Sequence, residues 1–273
     1  SCGAGMQSTA LALLSCESAI TGKPHPNVPI YHAVLFCDMG AEPAWVYSQV
    51  KFIRDACARA KIPFITIQSD LHQHYLDNFG SKRVVSIPFW TVDECSKKGK
   101  MPRNCTLEFK IQKMQKFVRW DLLGYKKGAR INVSDMNQHY FHLGFSTEES
   151  RRCKENAHPM FQNRFPLVEM GWTRANSYAY CRAVWGLDTK ASACLMCPFH
   201  RNYFYRHLSK TTDNDYSIVL SFDQMLERRQ EGSLIRSNLY LSSSRKRIQC
   251  LSDGDCNDAE FFDYRGQKKW NGF

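Results

Sequence analysis

The first long apolar stretch runs through Tyr31, His32, Ala33, Val34, Leu35, Phe36 and Cys37. It is too short for a helix and rich in strand formers, so it predicts a strand covered on both faces. A polar turn follows, Asp38-Met39-Gly40-Ala41-Glu42-Pro43. Val46, Val50, Ile53, Cys57 and Ala60 then recur at helical spacing, predicting a helix over residues 45–60. Pro63 ends that helix, and Phe64-Ile65-Thr66-Ile67 predicts a second buried strand. Strand, helix and strand joined by short connections make a βαβ unit and imply a parallel sheet, so the fold class is α/β. Further strands are expected over residues 130–133 and 141–144. Ligands of such sheets bind beyond the carboxyl ends of strands. Asp38 and Glu42 are therefore site candidates, although by themselves they are better read as a turn aspartate and a helix-start glutamate complementing the macrodipole.

Helical spacing returns at Leu107, Ile111, Met114 and Val118, with Lys110, Lys113 and Lys116 along another side, which predicts an amphipathic helix over residues 106–120. Residues 165–186 open with Phe-Pro-Leu-Val and continue as a helix with Arg174 near its start. Beyond Ser242 the chain is polar and is expected to be irregular. No internal repeat or low-complexity tract is present.

With 273 residues, 43% hydrophobic and 23% charged, the chain has the balance of a globular protein, which excludes collagen, coiled coil and wholesale disorder. No apolar run approaches the ~20 residues of a membrane span, and no basic-then-apolar leader opens the sequence, so a cytoplasmic protein is expected. The net charge of +11 is uneven. Residues 97–130 hold 11 Lys and Arg against 2 Asp and Glu, whereas residues 1–96 hold 7 against 8. A local basic patch is the footprint of a polyanion, either a nucleic acid or a nucleotide's phosphates; a solvated basic face is the bland alternative.

The 12 cysteines are not spaced as a disulfide scaffold, and several, such as Cys37 and Cys57, fall in apolar patterns as buried small hydrophobes. Cys105, Cys194 and Cys197 stand apart. Cys194-x-x-Cys197-Pro198 is a turn that can hold two thiolates on one metal or cluster. Cys105 begins the basic helix, where the dipole and nearby cations favour thiolate. Spacing alone allows an iron–sulfur cluster, a zinc with Cys181 or His200 as fourth ligand, or a redox dithiol. Cys181 lies in a helical pattern and reads as packing.

The chain opens Ser1-Cys2-Gly3-Ala4-Gly5-Met6-Gln7-Ser8-Thr9, followed by a helix-like stretch over residues 10–15. Glycines let a backbone approach phosphates, whose charge the loop and first-turn N–H groups then cradle, with serine hydroxyls adding donors. It is neither a Gly-Lys-Ser/Thr P-loop nor the full dinucleotide fingerprint.

The pattern Ser-x-Gly-x-Gly-x-x-Ser resembles the pyrophosphate loop of the PP-loop ATPases, the adenine-nucleotide alpha-hydrolase-like superfamily. Phe36-Cys37-Asp38-Met39-Gly40-Ala41-Glu42 is similar to a segment of its phosphoadenosine-phosphosulfate-reductase-like branch. So are Pro102-Arg103-Asn104-Cys105-Thr106 with Phe109-Lys110-Ile111, and Gly144-Phe145-Ser146-Thr147-Glu148-Glu149 with Arg151. Phe165-Pro166-Leu167, Thr173-Arg174, and Ser192-Ala193-Cys194-Leu195-Met196-Cys197-Pro198-Phe199 follow in the same order. The likeness covers residues 1 to about 205 and extends to the sulfur-transfer subunit of DNA phosphorothioation systems. In that superfamily an apolar strand precedes the loop, whereas this sequence opens at Ser1; a trimmed or renumbered chain is the expected explanation.

The resemblance implies a mostly parallel, doubly wound, Rossmann-like sheet. A nucleotide-binding domain is expected over residues 1–150, and a helical C-terminal region carrying the CxxC site over residues 151–273. It implies ATP and Mg²⁺ bound through Ser1, Gly3, Ala4, Gly5, Gln7, Ser8 and Asp38. Asp38, Lys110 and Arg174 are the implied catalytic groups, and Cys105, Cys194 and Cys197 the ligands of a [4Fe–4S] cluster. The implied activity is an ATP pyrophosphatase that adenylates a substrate for sulfur transfer to a nucleic acid, tRNA or DNA, with a sulfur-donor protein as a further partner. An adenylyl-sulfate reductase is the alternative enzyme. Its nucleophilic cysteine would have to be Cys250 or Cys256, neither of which has the expected surroundings. A nucleic-acid-binding module with a structural zinc is the non-enzymatic alternative.

Overall fold

The computed structural model describes residues 1–79, 86–228 and 235–259. In chain order the elements are α1 (Met6–Thr21), β1 (Val34–Asp38), α2 (Ala44–Arg59), β2 (Phe64–Gln68), α3 (Leu71–Asn78), β3 (Trp90–Val92) and β4 (Lys98–Lys100). These are followed by α4 (Gln112–Phe117), β5 (His139–His142), β6 (Phe161–Arg164), α5 (Pro166–Glu169), α6 (Arg174–Trp185), α7 (Asn202–Thr211), α8 (Asp213–Glu227) and β7 (Asn238–Tyr240). The protein is mixed α/β with small parallel sheets. The described residues pack as two units, each assembled from separated stretches of chain.

The first unit comprises Ser1–Cys37, Trp45–Ile67 and Met114–Ser192. The βαβ expectation holds here, because apolar runs bounded by Pro63 and a polar turn leave little latitude at their ends. Val34 N–H donates to Pro63 O at 2.8 Å as β1 and β2 set out together. Cys2 bridges Phe36 in parallel. β5 and β6 pair in parallel with His139 opposite Phe161. Leu13, Phe36, Val46, Ile53, Cys57 and Cys181 are buried in one core. Burying each large apolar side chain contributes roughly 1.5–3 kcal/mol. Gly22 ends α1 in the left-handed conformation at φ +67°, open to a residue without Cβ.

The second unit comprises Asp38–Ala44, Gln68–Lys113 and the described residues from Ala193 onward. Its three strands form an antiparallel sheet in the order β4, β3, β7, with Trp90 opposite both Lys100 and Tyr240. Tyr75, Phe89 and Phe222 pack as a trio of rings with centroids 5.6–6.1 Å apart. Buried Asp223 accepts from Ile248 N–H at 2.8 Å and from Arg247 at 3.3 Å, tying the polar segment after Ser242 to α8. Up to residue 259 that segment forms short 3-10 turns, irregular as expected, and within it Ile248 and Leu251 are buried; the rest of the expected irregular tail lies outside the described residues.

Three expectations need correction. Residues 130–133 form no strand: Val133 is 82% exposed and begins a 3-10 turn, and two β-branched residues, Ile131 and Val133, do not make a strand without a partner edge. The strand expected over 141–144 is placed earlier, at His139–His142, where its register with β6 seats Phe141 5.0 Å from Phe161. The helix expected over 106–120 is not uniform. A π-helical turn spans Leu107–Ile111 before α4, and a second spans Val118–Leu122 after it. A π turn takes up an extra residue and rotates the following face. The apolar stripe therefore does not stay on one side: Met114 is buried, but Leu107 is 49% exposed and Ile111 39% exposed. Among the described residues no helix is long and apolar enough to cross a membrane.

Candidate functional site: a glycine loop and a thiol pair

The glycine loop belongs to the first unit. Ala4 takes a left-handed φ of +53° and Gly5 then caps α1 in extended conformation without any side-chain hydrogen bond. The first N–H groups of α1 therefore leave the helix with no intrahelical acceptor, the geometry that favours an anion. The loop holds itself in shape: Gly3 N–H donates to Ser8 Oγ at 3.1 Å, and that hydroxyl donates to Gly5 O at 3.2 Å. Ser1 N donates to His142 O at 3.1 Å.

Three segments distant in sequence wall the loop. A Cβ on Gly5 would lie 2.8 Å from Ser192 Oγ and 3.3 Å from Ser192 N, and a Cβ on Gly144 would lie 2.6 Å from Ser8 N. Buried Gln49, on α2, donates to Ala4 O and to Lys190 O, and accepts from Lys190 N–H. Gln7 Nε2 donates to Glu149 Oε2 at 2.8 Å, and Arg174 lies 4.0 Å from Glu149 Oε1. Arg174 N–H also donates to Glu148 at 3.0 Å. Burial works to raise the Glu148 carboxyl, but the Ser146 hydroxyl and this N–H outweigh it and hold the group below its ordinary range. Arg174 opens α6 just after Thr173, whose side chain forms a capping box with Asn176. Ser1, Gly3, Ala4, Gly5, Gln7, Ser8 and Arg174 are thus gathered in one unit. Ser192, Gln49 and Glu149 complete the surroundings. Gln49 was legible only as a lone amide on the apolar face of α2.

The second unit holds the other candidates. Asp38 accepts from Gly40 N–H at 2.9 Å and its carbonyl accepts from Ser69 N–H at 2.9 Å, so it shapes the turn, with Gly40 at φ +81°. Glu42, in the turn before α2, is buried. Its carboxylate meets Lys110 Nζ at 3.5 Å; burial nonetheless pushes its pKa up. Leu195 N–H donates to Ala41 O at 2.8 Å, which lays the CxxC turn beside this segment.

In that turn Cys197 N–H donates to Cys194 O at 3.0 Å, and the two thiols share a hydrogen bond. The bond from Cys194 lowers Cys197 to about 7, helped by the Phe199 N–H, Arg103 and Lys110, while Cys194 is pushed up by the same bond and by burial. Cys105 N–H donates to Ser86 O at 2.8 Å and its side chain is half-buried. Among the described residues, no group of His, Cys, Asp or Glu large enough to be a metal centre is assembled, so Cys105 is not brought into one set with Cys194 and Cys197.

The two alternative fourth ligands are placed differently. Cys181 is buried in the first unit's core, where burial pushes its thiol up to about 12. His200 Nε2 bonds to Cys194 O at 2.9 Å, its ring stacks 3.5 Å from Phe204, and burial lowers it to about 4. The donor chemistry of the pair fits thiolate ligation, while a three-cysteine cluster site is not formed.

A cavity of about 730 Å³ lies in the first unit, bounded by Tyr31, Val34, Leu35, His139, Phe141 and Phe161 among others. Its walls are mainly apolar, and Ser1, Cys2 and Ser8 of the loop border it. Compared with family models, curated proteins and solved structures, the chain matches none.

Proposed function

We propose that the protein is a PP-loop ATP pyrophosphatase that adenylates a substrate oxygen, in the service of sulfur transfer to a nucleic acid. The observation that carries this reading is the uncapped glycine loop at the start of α1, built so that Gly5 and Gly144 admit no side chain and Gln7 reaches the Glu149–Arg174 pair. Such a loop suits the phosphates of ATP, with N–H groups as fixed donors that need no reorganisation as charge develops. Adenylation turns a poor leaving oxygen into AMP and releases pyrophosphate.

In this reading Arg174, in the same unit as the loop and 4.0 Å from Glu149, offsets phosphate charge. A doubly wound sheet is part of the same proposal. β1 bonds β2 on one side and Cys2 on the other, Ser1 donates to His142 of β5, and β5 pairs with β6, which supports one parallel order through the unit. The Cys194–Cys197 pair, with a thiol lowered toward neutrality, suits it to carrying or ligating sulfur.

The test is pyrophosphate release from ATP by the purified protein, with Gly5→Val as the control expected to abolish both release and binding of an ATP analogue. Unchanged affinity in Gly5→Val removes the loop from the site. Anaerobic purification with iron and sulfide analysis and a visible spectrum separates cluster, zinc and dithiol.

A further inference from the structure

Beside the thiol pair, within the second unit, cations and aromatic rings alternate. Arg245 Cζ lies 5.3 Å from the Trp90 ring. Lys100 Nζ lies 5.3 Å from Trp90 and 4.9 Å from the Phe199 ring, and Arg103 Cζ lies 5.3 Å from Phe199. The scaffold under this ladder is well tied. Trp90 Nε1 donates to Pro198 O at 2.9 Å, and Arg245 donates to Thr91 O and Gly99 O at 3.3 Å each. Trp90 and Lys100 are cross-strand partners in the β3–β4 pair.

Phe199 is the unusual member. The Pro198 before it and the His200 after it are buried, yet its own ring is 44% exposed. Around it Lys97, Lys98, Lys100 and Arg103 are exposed, and residues 97–103 contain no acidic side chain. Asp93, at the hairpin turn, is occupied in accepting from the N–H groups of Cys95 and Lys97.

We propose that this ladder is a docking platform for unpaired nucleotides, with Phe199 stacking a base while Lys98, Lys100 and Arg103 meet the flanking phosphates. An exposed ring set among cations offers both things an unpaired nucleotide presents, a π face and an anion. A duplex keeps its base faces stacked inside, so it leaves the ring unused. An acidic peptide would use the cations and likewise ignore the ring. Phe199 follows Cys197 by two positions and its N–H is directed to the Cys197 sulfur, so the platform adjoins the CxxC turn. The proposal rests on the nucleic-acid half of the function proposed above and narrows it to single-stranded or unstacked substrate.

The experiment uses the full chain and fluorescein-labelled 20-nucleotide single strands, with the matching duplex, in anisotropy titrations across a salt series. Wild type is expected to bind the single strand more tightly than the duplex. Phe199→Ala is expected to weaken single-strand binding about 5- to 100-fold with an unchanged salt slope, the range for one stacked base. Phe199→Tyr should restore it, which separates stacking from a folding defect. Lys100→Ala should flatten the salt slope by ~0.7, whereas a loss without a slope change contradicts its phosphate role.

Equal affinity of Phe199→Ala and wild type overturns the platform, as does a preference for duplex. Pyrophosphate release from ATP, assayed on the same preparations, reports on the adenylation reading independently. Release without any single-strand binding overturns the platform alone, and absence of release with intact stacking overturns the adenylation reading alone.

Discussion

Lys110 Nζ lies 3.5 Å from Glu42 Oε1, and the Glu42 side chain is 1% exposed against 30% for Lys110. The carboxylate comes from the turn after β1 and the ammonium from the π-helical turn Leu107–Ile111. Burial raises the Glu42 carboxyl and Lys110 pulls it back. Burial and the cation therefore act in opposite senses on one carboxyl, and both groups also influence the protonation of the Cys194 thiol.

Removing the cation should expose that balance. Lys110→Met leaves a buried carboxylate without this partner, so Glu42 takes up a proton more readily. A group with a raised folded pKa contributes its cost as pH rises. The variant's destabilisation should be slight near pH 4 and reach about 3 kcal/mol at pH 8. Urea unfolding at several pH values measures it; a pH-independent difference would show that the pair carries no charge.

Gly144 supplies a second test of the loop. A Cβ there would lie 2.6 Å from Ser8 N and 2.7 Å from Ser8 Cα, both backbone atoms that a rotamer change cannot move. Gly144→Ala should displace the loop, costing about 1–3 kcal/mol of stability. It should weaken binding of an ATP analogue at least tenfold in calorimetric titration. Gly124→Ala serves as the comparison: nothing lies near its Cβ, but its φ of +70° means a small backbone penalty without any loss of nucleotide binding.

The thiol pair should titrate unevenly. In metal-free protein, alkylation of Cys197 by iodoacetamide should rise with pH and reach half its maximum rate near pH 7, because the thiolate is the reacting form and the Cys194 hydrogen bond lowers its pKa to about 7. Cys194→Ser should shift the midpoint, and Cys194 should react only at higher pH. Peptide mapping by mass spectrometry identifies the modified residue. Equal midpoints for the two thiols would show that they do not share a proton.

His200 links folding to pH. Burial lowers its pKa from 6.5 to about 4, so the folded protein holds it neutral while the unfolded chain binds a proton more readily. Stability is complete above pH 6.5 and declines as pH falls toward 4. By pH 5 this one group should cost roughly 2 kcal/mol. His200→Phe keeps a ring against Phe204 and should flatten the stability profile between pH 7 and pH 5. An unchanged slope in denaturant titrations would assign the loss to other groups.

Much of the local structure was determined by the sequence alone. The far end of β1 and the ends of α2 and β2 follow from apolar runs cut by Pro63 and by the turn at Asp38–Gly40, since burial on both faces and a missing N–H act within a few residues, whereas β1 starts at Val34 and not at Tyr31 as the apolar run suggested. The turn at Cys194–Cys197 and the glycine loop before α1 were legible for the same reason. The chemistry of both depends on residues adjacent in the chain.

Tertiary structure decided what those elements meet. Periodicity could assign Met114 and Leu107 to one stripe, but the π turns rotate the helix and leave Leu107 exposed. Gln49 is one polar position on α2 until its amide is seen holding Ala4 and Lys190. Tyr75, Phe89 and Phe222 come from separate parts of the chain, and only packing makes them one core. The assembly of two units from alternating stretches is of the same kind. Local patterns record how much of a side chain is buried, whereas the partner that buries it is set by contacts between distant residues. That is why Cys105 could be grouped with Cys194 and Cys197 by sequence motif while the folded chain joins only the latter two.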